Sequence, residues 1–155
     1  MTVRPVQRQV TVEVTQERAF ALFTGAMGSW WNPGHHVGER PFADVVVEPR
    51  EGGRWFEVDE GGVESPWGSV LVWDPPHRLL LAWQLDAGWA HDPHHTTEVE
   101  VRFVADGPAR TRVELEHRGL ERYGADADEV AAQLGADGGW AGLLRRFAEE
   151  LQVPA

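Results

Sequence analysis

The stretch from Thr96 to Leu120 reads TTEVEVRFVADGPARTRVELEHRGL, and its alternation decides the fold. Thr97, Val99, Val101 and Phe103 share one parity, with Glu98, Glu100 and Arg102 on the other. After a turn at Asp106–Pro108, Thr111, Val113, Leu115 and His117 repeat the first parity against Arg112, Glu114 and Glu116. A sustained period of two marks a strand with one face in a core, and Asp-Gly-Pro is turn chemistry. The stretch therefore predicts an antiparallel hairpin of two strands, Thr96–Ala105 and Arg110–Arg118. Charges of both signs on the polar parity can pair across strands in water, so Glu98 and Glu100 read as a solvated outer face and not as paired catalytic carboxylates.

Upstream of the hairpin the same period continues. Leu79, Leu81, Trp83 and Leu85 share a face within Arg78–Asp86, and three further strands are expected at Pro41–Glu48, Gly53–Asp59 and Val63–Trp73. Turn formers at Arg50–Gly53, Glu60–Gly62 and Asp74–Pro76 separate them. For Gly53–Asp59 two parities are open: either Trp55 and Glu57 face inward, or Phe56 and Val58 do. Near the amino terminus Val6, Arg8, Val10, Val12 and Val14 alternate with Gln7, Gln9, Thr11 and Glu13. Thr15 then caps a helix whose apolar stripe is Ala19, Phe20, Leu22 and Phe23, ending at Gly25. A short helical turn, Ala26–Trp31, follows and stops at Asn32-Pro33-Gly34. Downstream, Asp137 caps a last helix with Trp140, Leu143, Leu144, Phe147 and Leu151 on one stripe. The predicted order is β-α-α-β-β-β-β-β-β-α, an α+β architecture in which a long amphipathic helix must cover a sheet of about seven strands.

Composition narrows the chemistry. The chain has 155 residues, 25 acidic and 14 basic, for a net charge of −11, which suits one domain spanning 1–155. There is no cysteine, and every basic residue is arginine. Thiol nucleophiles, thiolate metal sites, Schiff-base lysines and lysine-dependent phosphate loops are thereby excluded. An acidic surface disfavours nucleic acid and anionic membranes as partners. Without an apolar run near 20 residues or a signal-like start, the expected location is cytoplasmic. Serines are confined to Ser29, Ser65 and Ser69, none of them in a G-x-S-x-G elbow, and there is no H-E-x-x-H motif.

Taken in order, "TQERAFALFT", "WWNPGHH", "GGRWFEV", "GSVLVWDPPHRLLLAWQL", the hairpin above and "DGGWAGLLRRFAEEL" resemble the START-like, or SRPBCC, superfamily, and within it the family of the activator of heat-shock protein 90 ATPase. The resemblance implies a helix-grip fold, a curved antiparallel sheet wrapped around the carboxyl-terminal helix with a cavity between them. It also implies a choice of functions: a carrier or sensor of a small hydrophobic molecule, a chaperone partner in a stress response, or a polyketide cyclase- or hydrolase-like enzyme in which His117 and Glu57 serve as acid and base. The protein is expected to be a monomer or homodimer.

Eight tryptophans in a chain with one tyrosine point to an aromatic-lined pocket. The residues expected to contact a ligand are Trp30, Trp31, Phe42, Trp55, Trp67, Leu81, Trp83, His117, Trp140 and Phe147. Counting strand reversals gathers His35, His36, His91, His94 and His95 at one rim with Asp59, Glu60, Glu64 and Asp92. Imidazoles and carboxylates suit a divalent ion, but the H-D-P-H-H run lacks the helical spacing that fixes two imidazoles on one metal. No metal and no cofactor are therefore expected.

Overall fold

The computed structural model describes residues 3–151. Its seven strands are β1 (Val6–Val12), β2 (Phe42–Val47), β3 (Arg54–Asp59), β4 (Glu64–Asp74), β5 (Arg78–Trp83), β6 (Thr97–Ala105) and β7 (Thr111–Arg118). They form one antiparallel sheet in the order β1-β7-β6-β5-β4-β3-β2. All twelve residues assigned inward by parity on β5, its extension to Leu85, β6 and β7 are buried. Register lines them up across strands, with Leu81 opposite Val99 and Val99 opposite His117. The sheet curls into a half-barrel. Register shifts at Phe42/Asp44, Trp55/Phe56 and Val70/Val72 accompany that curvature, as irregularities that bend and twist a strand do.

Between β1 and β2 lie α1 (Gln16–Gly25) and α2 (Met27–Trp30). Thr15 caps α1, its Oγ1 accepting the Arg18 N–H at 3.3 Å. The closing helix α4 (Trp140–Leu151) buries Trp140, Leu143, Leu144 and Phe147. Phe147 meets Phe23 and Trp30 edge-on, at 5.2 and 5.5 Å between ring centres, and Phe23 in turn meets Phe103 at 5.6 Å. This aromatic cluster is buried, with Phe23, Trp30, Phe103 and Phe147 each no more than 1% exposed.

Several expectations are corrected. A 3-10 helix, Leu120–Asp126, and α3 (Ala127–Gly135) stand between β7 and α4, where no helix was expected. Ala127, Val130 and Leu134 are its buried residues, the last two four apart on one face. Strand β5 ends at Trp83 and not at Asp86, because the chain folds back on itself and Leu85 makes only an isolated bridge with His91. Strand β1 ends at Val12 and not Val14. Both Trp55 and Phe56 are buried where the register shifts, but Trp55 and Glu57, each fully buried, face the interior, while Phe56 lies under the Arg54 guanidinium at 4.4 Å.

Glu100 is on the outer face as expected, yet it is buried and not solvated. Arg78, Arg102 and Arg118 converge on its carboxylate, the last at 2.8 Å, and their stems cover it. Burial alone would raise this carboxyl, but the guanidiniums of Arg78, Arg118 and Arg102 outweigh it and hold it at about 2.

Candidate functional site

Elsewhere the interior is not filled. A partly enclosed cleft of about 470 Å³ lies between the sheet and α4. Five of the eight tryptophans line it: Trp31 just after α2, Trp67 on β4, Trp83 on β5, Trp89 in the following loop and Trp140 at the start of α4. Their rings are mutually tilted or edge-on, Trp31 to Trp67 at 4.9 Å, Trp83 to Trp140 at 5.7 Å and Trp83 to Trp89 at 6.3 Å. Tilted and edge-on neighbours of this kind stabilise one another.

Each wall is held by named bonds. Glu57 accepts the Val37 and Gly38 N–H groups and, at 2.7 Å, the Trp67 indole N–H, so one buried carboxyl ties the 34–38 loop to the Trp67 wall. Trp31 donates its indole N–H to His35 O at 2.9 Å, and His36 Nδ1 is 2.8 Å from Gly38 O. Arg146 on α4 donates to Trp30 O and Trp31 O, satisfying carbonyls at the end of α2. Desolvation, then the nearby Arg146 charge, lowers His35 from the ordinary imidazole range. Opposite, Asp86 Oδ1 accepts the Gly88 and Ala90 N–H groups, shaping the turn that carries Trp89. Tyr123 donates to Leu85 O at 2.7 Å, and burial pushes its phenol up to about 12. At the α3–α4 corner Gly139 is required: a Cβ there would stand 2.3 Å from Leu134 O and 2.6 Å from Gln133 O.

Behind the wall sits His117, fully buried. It accepts the Trp140 indole N–H on Nδ1 at 3.1 Å, leaving Nε2 to donate to Thr97 Oγ1 at 2.8 Å. Desolvation lowers it to about 3, so the ring is neutral at ordinary pH.

Of the ten residues expected to meet a ligand, Trp31, Trp67, Trp83 and Trp140 line the cleft. Trp30, Trp55, Leu81 and Phe147 are instead core, each almost wholly occluded. Phe42 sits on edge strand β2 opposite Asp59, away from the cleft, and His117 stands one layer behind it. Inward parity selects interior residues but does not separate core from wall. Sequence reasoning missed Val37, Leu85, Trp89 and Leu134 as lining residues, while Leu143, on the apolar stripe of the last helix, does line the cleft. Leu134 carried a usable signal, its four-residue spacing from Val130; Trp89 lies in a turn without periodicity.

The proposed acid–base pair is not assembled. Glu57 on β3 and His117 on β7 are separated by β4, β5 and β6, and each is bonded to other partners. The histidine rim is also corrected: only His35 and His36 line the cleft. His95 stacks on Tyr123 at 4.4 Å, because the Asp86 and Asp92 turns fold the intervening loop back on the strand end. Of the rim carboxylates, Asp59 accepts its own turn's Gly61 and Val63 N–H groups, and Glu64 pairs with Arg54. Among the described residues no three histidines or carboxylates come together as a metal site. No helix among them is long and apolar enough to cross a membrane.

Comparison with known proteins fits this architecture. The sequence model described as Activator of Hsp90 ATPase homolog 1-like protein matches residues 13–152. A solved anthrahydroquino-γ-pyrone synthase, Txn09, is 38% identical, with 96% of this chain and 97% of that one covered and a TM-score of 0.67. The self-sacrificing resistance protein CalC from Micromonospora echinospora is 31% identical over 96% and 94%, with a TM-score of 0.68. An HSP90 activator from Plasmodium falciparum, PFC0360w, shares the fold at 16% identity, with 75% and 73% covered and a TM-score of 0.53. No curated protein sequence matches the chain. A family match over nearly all of the sequence, on a curled seven-stranded sheet closed by a carboxyl-terminal helix, places this chain among the activator of Hsp90 ATPase homolog 1-like proteins of the SRPBCC superfamily.

Proposed function

We propose that this protein binds a small, planar, apolar molecule in the cleft, as a carrier or sensor. The observation that carries the reading is the five-tryptophan wall around about 470 Å³ of open space. That space is within the range of small-molecule sites, and aromatic walls favour flat guests over flexible chains. The 38% identical relative named as a pyrone synthase supports a polycyclic aromatic as the class of guest.

Titration with phenanthrene, followed by tryptophan fluorescence and native mass spectrometry, tests the reading. Saturable one-to-one binding is expected, with palmitate far weaker. Leu143→Glu, which puts an unpaired charge in the wall, should abolish it in a protein first shown to be folded. Absence of saturable phenanthrene binding would sink the proposal.

A second reading, catalysis on the same guest, also rests on that synthase. His35 and His36, and not the His117–Glu57 pair, are the titratable groups lining the cleft. Turnover lost in variants of those two, with affinity retained, would favour it. A chaperone partner is supported by the family relation alone. Among the described residues only Val63 and Leu71 are exposed large hydrophobics, a small apolar surface for docking a client or a chaperone domain.

A further inference from the structure

Resting on the cleft reading above, we infer that the guest carries a hydroxyl group, whose O–H donates to His36 Nε2, and that Trp89 sets the plane of its ring at the mouth. In an apolar pocket the few polar groups fix orientation. Here the polar groups of the lining include His35 and Gln133, both exposed, the half-buried His36, and the buried indole N–H of Trp83, a donor without a partner among the described residues.

His36 has a defined polarity. Its Nδ1 lies 2.8 Å from Gly38 O, and a carbonyl oxygen can only accept, so Nδ1 carries the proton. In the neutral ring Nε2 is then an acceptor. It has no partner among the described residues and is not among their occluded polar atoms. The ring is also fixed in place, since the Val37 and Gly38 amides that follow it are both held by Glu57. A rigid acceptor in an apolar wall selects a donor. A guest offering a carbonyl or an ether oxygen at that point would set lone pair against lone pair and leave both unsatisfied.

Trp89 supplies the second half of the argument. It is the one non-glycine residue among those described with a positive φ, at 62°. A bulky side chain in that conformation is strained and persists only where its surroundings impose it. Asp86 imposes it, through its carboxylate on the Gly88 and Ala90 amides and its carbonyl on the Trp89 amide. The strain holds a half-buried indole at the edge of the cleft, edge-on to Trp83. Trp89 is thus a specificity-determining platform.

The test compares phenanthrene, 9-phenanthrol and 9-methoxyphenanthrene on the full chain at about pH 8, above the ordinary imidazole range. In the wild type the phenol should bind about tenfold more tightly than its methyl ether, the scale of one hydrogen bond in a dry site. In His36→Ala the two should converge, the ratio of phenol to ether affinity falling to about one. Trp89→Gly, which suits the positive φ, should keep the melting temperature while weakening all three. A long-range ¹H–¹⁵N spectrum of the wild type needs no variant: the His36 Nε2 resonance should move with phenanthrol and stay still with the ether. Equal affinities for phenol and ether, or an unmoved Nε2 signal while phenanthrene still binds, would overturn the inference and leave the cleft reading standing. If none of the three binds, the inference falls together with that reading.

Discussion

The indole N–H of Trp140 is bonded to Nδ1 of His117 at 3.1 Å, so a cleft-lining ring is oriented from behind by a buried imidazole. Thr97 Oγ1 takes the other ring nitrogen and lies 3.5 Å from the carbonyl of Trp83, a second cleft residue. His117 is a positioning residue: two walls of the site are set through it.

Acid should weaken the fold through His117. Its folded value is lowered by desolvation to about 3 from an unfolded 6.5, so between those limits the unfolded chain binds the extra proton. The stabilisation is complete above about 6.5 and is lost progressively as pH falls toward 3. Urea denaturation across this window should show wild-type stability falling by more than 1 kcal/mol per pH unit at its steepest. His117→Gln should be less stable near neutrality by about 1–3 kcal/mol but lack that contribution to the slope. A slope identical in the two proteins would refute the assignment.

A different acid limb belongs to Glu100. Its carboxyl, at about 2 against an ordinary 4.5, stabilises the fold above 4.5, and the contribution disappears as pH falls toward 2. Glu100→Gln should cost about 1–3 kcal/mol at neutral pH, discounted for the partly exposed arginines that pair with it. Loss should be greatest near neutrality and shrink in acid, which melting curves at a series of pH values will read.

Glu57→Gln is conservative in shape and not in chemistry. All three partners of Glu57 are N–H donors, so a carboxamide must turn one of its own N–H groups toward a donor. The variant should lose about 1–3 kcal/mol. Hydrogen exchange of the Val37 and Gly38 amides should accelerate well beyond that of the sheet. Protection there unchanged from wild type would show that the 34–38 loop has another anchor.

Core and wall should separate by mutation. Phe147 is fully buried among Phe23 and Trp30 and does not line the cleft. Phe147→Ala is expected to cost about 3–5 kcal/mol in chemical denaturation. Its phenanthrene affinity, measured where the variant is folded, should fall far less than that of Leu143→Glu, because Phe147 does not line the cleft. A loss under half of that stability range would mean that α4 is not packed as described.

The hairpin of β6 and β7 was legible in the sequence because its inward residues obey one period without exception. What period two cannot report is depth: Glu100 has outer parity but disappears beneath three arginines contributed by β5, β6 and β7. A pattern that marks only the inward side likewise let Trp30, Trp55 and Phe147 into the expected site with Trp31, Trp67 and Trp140. Which of these are core and which wall is decided by where the chain around residues 34–37, 85–89 and 136–139 runs, and those segments have no periodicity. Of the histidines expected at one rim, two line the cleft. Strand reversals place a loop's ends correctly, while the Asp86 and Asp92 side chains decide how its interior folds.

Strand β1 is the first element of the chain and pairs along its whole length with β7, Val6 opposite His117 and Val12 opposite Thr111. During synthesis this strand therefore leaves the ribosome long before its only neighbour exists. Hairpins β2–β3, β4–β5 and β6–β7 can close as they emerge, but the β1 edge must wait, a non-local pairing of the kind that slows folding and leaves a nascent strand exposed to other chains. Its outward residues Gln7, Gln9 and Thr11 are exposed and polar, which makes the waiting strand a poor template for aggregation. The β1 edge also carries Arg8, whose guanidinium bonds Gly135 O at the end of α3. Pairing of β1 with β7 thus also ties the sheet edge to the helical side of the cleft.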